Sequence, residues 1–170
     1  MRWALLFVPL TIFLGYLSAA VAGPMAGSAW FDALEKPSLF PPPATFRIAW
    51  TILYAMMGFA LALVVAARGA PWRTAAIVAF AIQLVLNLFW SPLFFAKHQI
   101  TGAFALILAL DLVVIATIVL FWRVRPLAGA LLLPYLAWIL FASVLNFQFM
   151  MLNPDLDGQS VSGPVQRIEF

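Results

Sequence analysis

The sequence predicts an all-α protein, a bundle of five transmembrane helices. Hydrophobic residues make up 66% of the 170-residue chain and charged residues only 9%, whereas soluble domains are about half apolar. Mean hydropathy is +1.08. The apolar residues come in five runs of about 20, the length a helix needs to cross a bilayer at 1.5 Å per residue. They do not form the one-sided stripes of a soluble helix.

The first run, residues 3–23, follows Arg2 and ends in Ala20-Val21-Ala22, which imitates a signal cleavage site. Its apolar stretch exceeds the roughly 7–15 residues of a signal core and has one positive charge ahead of it, so it reads as a retained span. The second span is expected at 46–67, the third at 73–95, the fourth at 101–122 and the fifth at 127–152. "ARGAPWR", "AKHQIT" and "RVRP" separate spans two to five. Such short connections make neighbouring helices antiparallel. Residues 1–153 thus form one membrane domain. The polar, Pro-, Gly- and Ser-containing segment 154–170 is expected to be a mobile tail.

On the amino-terminal side stand Arg2, Arg68, Arg73, Arg123 and Arg125 without an acid. The opposite side carries Lys36, Arg47 and Lys97 together with Asp32, Glu35, Asp155 and Asp157. The positive-inside rule puts the amino terminus in the cytoplasm, with the first loop and carboxyl terminus outward. Basic residues occur singly, which excludes a nucleic-acid footprint. The lack of cysteine excludes disulfide and thiolate chemistry. Trp3, Trp72 and Trp122 fall at cytoplasmic span ends, where an aromatic belt accounts for them.

Three later spans place polar and aromatic residues at helical spacing. Span two has Trp50 and Tyr54, span three Gln83, Asn87 and Trp90, and span five Trp138, Ala142 and Asn146. Antiparallel geometry puts Asn87 and Asn146 at similar depth, roughly 10 Å below the outer surface. Amides inside a bilayer must face the bundle interior. There they either glue helices together or, with large rings and small Ala142 and Ser143 beside them, line a cavity for a bulky, planar, mostly apolar ligand. Asp111 is the one ionisable residue deep in a span, read either as a proton relay or as a neutral, hydrogen-bonded carboxyl. His98, beside Lys97 in a short loop, reads as a solvated residue. A lone histidine without clustered carboxylates gives no metal site, and no nucleophile–base set points to a catalytic residue.

The stretches "WFDALEKPSLFPPP", "FRIAWTILY", "QLVLNLFWSPLFF" and "PYLAWILFASVLNF" resemble the TspO/MBR family, which comprises bacterial tryptophan-rich sensory proteins and mitochondrial translocator (peripheral benzodiazepine receptor) proteins. The resemblance implies a five-helix bundle, usually a homodimer, with a ligand pocket closed by the first loop. It also implies a receptor or sensor for porphyrin-type tetrapyrroles and, in some members, cholesterol or synthetic drug ligands. The alternatives it leaves are a transporter of such ligands and an enzyme that degrades porphyrin with light and oxygen. No cofactor is required; the tetrapyrrole is the ligand, and membrane lipid surrounds the bundle. Carried over by motif, the pocket uses Trp50, Tyr54, Asn87, Trp90, Trp138, Ala142 and Asn146, and the lid uses Trp30, Phe31, Pro41 and Pro42. One departure lies in span five, where Phe147 replaces the tyrosine of a cholesterol consensus and no basic residue follows. The loop chemistry fits a lid. Pro41–Pro43 hold its end extended, Asp32, Glu35 and Lys36 keep one face wet, and Trp30, Phe31, Leu34 and Phe40 are free to cover a mouth. Small residues at four-residue spacing, Gly58, Ala62 and Ala66 or Ala75 and Ala79, offer surfaces for self-association.

Overall fold

The structure, a computed structural model, describes residues 2–24 and 28–160. In chain order come α1 (Arg2–Ala22), the short α2 (Ala29–Ala33) and α3 (Pro43–Ala66). Then follow α4 (Arg73–Ser91) with a π-helical turn (Pro92–Ala96), α5 (Ile100–Val124), α6 (Pro126–Leu131), α7 (Leu133–Leu152) and a 3-10 turn (Pro154–Leu156). α1, α3, α4 with its π turn, α5, and α6 with α7 give five segments long and apolar enough to cross a membrane. No strand occurs among the described residues. The fold is the expected all-α, five-helix bundle.

Prolines account for the differences from the expected boundaries. α3 starts at Pro43 rather than 46, because proline's fixed φ suits the first helical position, where its missing N–H is not needed. The fifth segment breaks at Leu132, since Pro134 cannot donate to the carbonyl four residues earlier. The same deficit arises at Pro92, which leaves the Leu88 carbonyl without its helical donor. Ser18 of α1 donates to that carbonyl at 2.6 Å, and the chain underwinds into the π turn, closed by Lys97 N to Pro92 O at 3.0 Å. One proline thus sets both a helix end and a contact between α1 and α4.

The largest core cluster joins α3, α4, α5, α6 and α7 through buried Met57, Phe80, Leu110, Phe121, Ala128 and Ile139. A second cluster, Trp30, Phe31, Leu34, Phe94, Ile100, Ala103 and Phe149, sits at the lid end. Outward-facing Leu5, Phe13, Val78, Phe89 and Leu112 are the apolar surface that a bilayer covers.

α1 and α3 approach closely. A Cβ on Gly58 would lie 2.5 Å from the Phe7 carbonyl oxygen and 2.7 Å from Val8 Cα. Gly58 and Ala62 are buried within the protomer, so they offer no surface to a second copy, contrary to the reading of this stripe as a self-association face. Ala66 and Ala75 are exposed and Ala79 half-buried.

The carboxyl-terminal segment also departs from expectation. Residues 154–160 pack onto the lid and the start of α5 instead of leaving the bundle; residues 161–170 lie outside the described residues. Asp157 accepts from the backbone N–H groups of Ile100 (2.6 Å) and Thr101 (3.2 Å), supplying the cap that Gln99 does not provide. Gly158 N donates to the His98 carbonyl at 2.7 Å. His98 is therefore no free loop residue. It is half-buried, adopts a left-handed φ of 57° and places Nδ1 2.8 Å from the Gln159 carbonyl.

Candidate functional site

The first loop is held down at named points. Ser28 caps α2 by accepting from Phe31 N, and the Lys36 ammonium donates to the carbonyls of Phe31 (2.9 Å), Leu34 (3.1 Å) and Asp32 (3.3 Å). A five-residue helix cannot persist alone, and these two ends fix it. Trp30 is 1% exposed. It stacks on His98 with centroids 4.3 Å apart, meets Phe94 edge-on and donates from Nε1 to the Leu156 carbonyl at 2.9 Å. Asn153 clasps Glu35 on both sides: Oδ1 accepts from its N–H at 2.7 Å and Nδ2 donates to its carbonyl at 3.0 Å.

Beneath this lid lies a cavity of about 490 Å³, within the range of small-molecule sites. Trp50, Tyr54, Asn87, Trp90, Trp138, Ala142 and Asn146 all line it. Three helices that are distant in sequence bring the seven residues together, because each presents them at intervals of three or four. The lid residues divide. Phe31 roofs the cavity with Phe40, whereas Trp30 is an anchor buried behind it. Pro41 and Pro42 do not line the cavity; they border a second, separate pocket with Asp32 and Lys36.

The polar groups at the inner end are engaged by one another. Tyr54 Oη donates to Asn87 Oδ1 at 2.6 Å, Asn87 Nδ2 to Tyr135 Oη at 3.1 Å, and Tyr135 Oη to Gln83 Oε1 at 2.9 Å. Trp90 Nε1 donates to Asn146 Oδ1 at 3.1 Å, and Asn146 Nδ2 to the Ile100 carbonyl at 3.0 Å. These bonds tie α3, α4, α5 and α7 together, so the amides glue helices and line the cavity at once. Gln83 shares the Asn87 stripe but lies outside the cavity wall. Away from the cavity, Ser143 Oγ is 2.8 Å from Asp111 Oδ2 and 3.0 Å from the Ile139 carbonyl. Among the described residues, Gln83 Nε2, Asp111 Oδ1 and Trp138 Nε1 are buried without a partner, and no cluster suited to a metal ion occurs.

Several wall residues escaped the sequence pattern. Phe94 and Phe95 line the cavity because the π turn re-aims the end of span three. Gly15, Tyr16 and Ala19 of α1 also line it. Gly15 leaves room for the Tyr54 ring, which a Cβ there would strike. The i, i+4 spacing of Gly15 and Ala19 was the available signal, hidden in a run of small residues. Tyr135 is wholly buried, and its hydroxyl joins two amides that sequence alone left unconnected.

Five helices long and apolar enough to cross a bilayer define an integral membrane protein of the helical-bundle class. The TspO/MBR family profile matches residues 7–152. The chain is 36% identical over 151 residues to Protein CrtK of Rhodobacter capsulatus, covering 85% of this chain and 94% of the relative. It is 42% identical over 135 residues to Tryptophan-rich protein TspO of Chlorobaculum tepidum (77% and 84%). To Translocator protein of Homo sapiens it is 37% identical over 124 residues (71% and 73%). The chain belongs to the TspO/MBR family, and that membership supports a membrane receptor or sensor role.

Proposed function

We propose that the protein is a membrane receptor or sensor that binds porphyrin-type tetrapyrroles in the cavity beneath the lid. The observation that carries this reading is the wall itself. Flat rings of Trp50, Trp90, Trp138, Phe31 and Phe40 surround a space of about 490 Å³, a surface suited to a broad, planar, apolar body. Titrating the purified protein with a porphyrin should quench tryptophan fluorescence to saturation, and an excess of a second planar ligand should reverse it. Quenching that grows linearly without saturation sinks the reading.

The charge asymmetry supports a cytoplasmic amino terminus with the lid outward. The lid and residues 154–160 share one end of the bundle, as the Trp30–Leu156 and Glu35–Asn153 bonds require. A reporter fused after Phe170 should be active only on the non-cytoplasmic side. Cytoplasmic activity reverses the orientation.

A further inference from the structure

Among the described residues, Arg47 is the only charged side chain that lines the cavity. It stands one turn into α3, about 6 Å along the helix from Pro43, and it is exposed. Three other cations near the spans have work within the fold. Lys36 holds three lid carbonyls, Arg73 donates twice to the Val65 carbonyl, and Arg123 lies over the Trp72 ring. The Arg47 guanidinium has no hydrogen bond or ion pair among the described residues. Its backbone carbonyl accepts from Thr51 Oγ1 at 2.8 Å.

Several neutral donors around the cavity serve the fold, and the unpartnered Trp138 Nε1 carries no charge. At the inner end, Tyr54, Asn87, Trp90 and Asn146 each donate to a protein acceptor. At the mouth, the single hydrogen of Thr51 goes to the Arg47 carbonyl, so the 3.0 Å contact between Tyr16 Oη and Thr51 Oγ1 uses the tyrosine hydrogen. Both hydroxyl hydrogens are then committed within the protein. Charged donor capacity is thus concentrated in one planar fork, the geometry that pairs with a carboxylate.

We infer that Arg47 receives an anionic group of the ligand at the cavity mouth, so that the site takes amphipathic molecules with an apolar planar body inward and a carboxylate outward. This rests on the reading of the cavity as a ligand site. A lipid-headgroup phosphate offers similar chemistry at this depth, and the test separates the two sources.

The probes are a porphyrin with two free propionates and its uncharged dimethyl ester. They are titrated by tryptophan quenching against the wild type and Arg47→Gln, in a phosphate-free non-ionic detergent and in phospholipid nanodiscs. The wild type should bind the diacid about fivefold more tightly than the ester, the upper end for an exposed charge pair. Arg47→Gln should bring the two to within about twofold while leaving ester affinity unchanged, which also shows the cavity intact. The preference should persist in nanodiscs. A preference seen only in detergent assigns Arg47 to lipid phosphate and overturns the inference, as does equal binding of diacid and ester by the wild type while the cavity reading stands. Loss of ester binding in Arg47→Gln makes the residue a structural part of the wall and also overturns it. Binding of neither probe by the wild type removes the cavity reading, and the inference with it.

Discussion

Replacing Gly58 with leucine should unseat α1 and lower stability by about 2–4 kcal/mol. Even a Cβ at this position would meet the Phe7 carbonyl oxygen and Thr11 Oγ1 at 2.5 Å and Val8 Cα at 2.7 Å. Two of these atoms are backbone and cannot rotate aside, so the whole of α1 must shift. That shift breaks the bond from Thr11 Oγ1 to the Tyr54 carbonyl, 2.8 Å long and buried. Overpacking costs roughly 1–3 kcal/mol, and a lost buried hydrogen bond adds about 1 kcal/mol. For a chain of this size the sum lowers the thermal midpoint by about 5–15 °C. Gly102 is the control. A Cβ there finds Gln99 Cβ at 3.5 Å and nothing nearer, so Gly102→Ala should be neutral or stabilising through helix propensity, by up to about 1 kcal/mol. Melting in detergent followed by circular dichroism measures both. A Gly58→Leu variant that melts with the wild type means that α1 is loosely seated and that its cavity wall is not fixed.

The same glycine shows where sequence reasoning reaches its limit. The five spans were legible because bilayer thickness demands long apolar runs, and no other fold produces them. Trp50, Tyr54, Asn87, Trp90, Trp138, Ala142 and Asn146 stood out because polar and aromatic residues at helical spacing are conspicuous against hydrocarbon-facing neighbours. Gly58 carries no such contrast. Small spacing serves contact inside a protomer or between protomers equally well, and only the partner atoms, here Phe7 and Val8, decide. Residues 154–160 were misread for a related reason. Their composition is that of a mobile chain, and what holds them is a set of long-range bonds to backbone: Asp157 to Ile100 N and Leu156 O to Trp30. Such pairings leave no periodic trace. Tyr135 was hidden by its neighbours, since a tyrosine in "PYLAW" is as well suited to an aromatic belt as to a buried junction of two amides.

Replacing Ala142 with threonine should weaken binding of a bulky planar ligand by about ten- to hundred-fold. Ala142 is half-buried and lines the cavity between Trp138 and Asn146, on the stripe of α7 that faces the lid and α3. Threonine adds a branched methyl and a hydroxyl there. The hydroxyl finds an acceptor in the carbonyl four residues back, as serine and threonine commonly do inside helices, so the helix tolerates the residue and the added volume projects into the cavity. The ligand must then lose contact with one wall, or α7 must move away. Overpacking of this kind costs roughly 1–3 kcal/mol, which borne by binding gives the stated loss of affinity. Ala137→Thr tests the direction. Ala137 is exposed and lies about 140° around the helix from Ala142, so the same chemical change there should leave affinity within about twofold. Quenching of tryptophan fluorescence by a titrated porphyrin compares the wild type and both variants, with thermal midpoints to confirm folding. The sharp outcome is a loss confined to Ala142→Thr. Equal affinities in all three folded proteins would mean that Trp138, Ala142 and Asn146 hold helices together without touching ligand, and that the molecule binds outside this cavity.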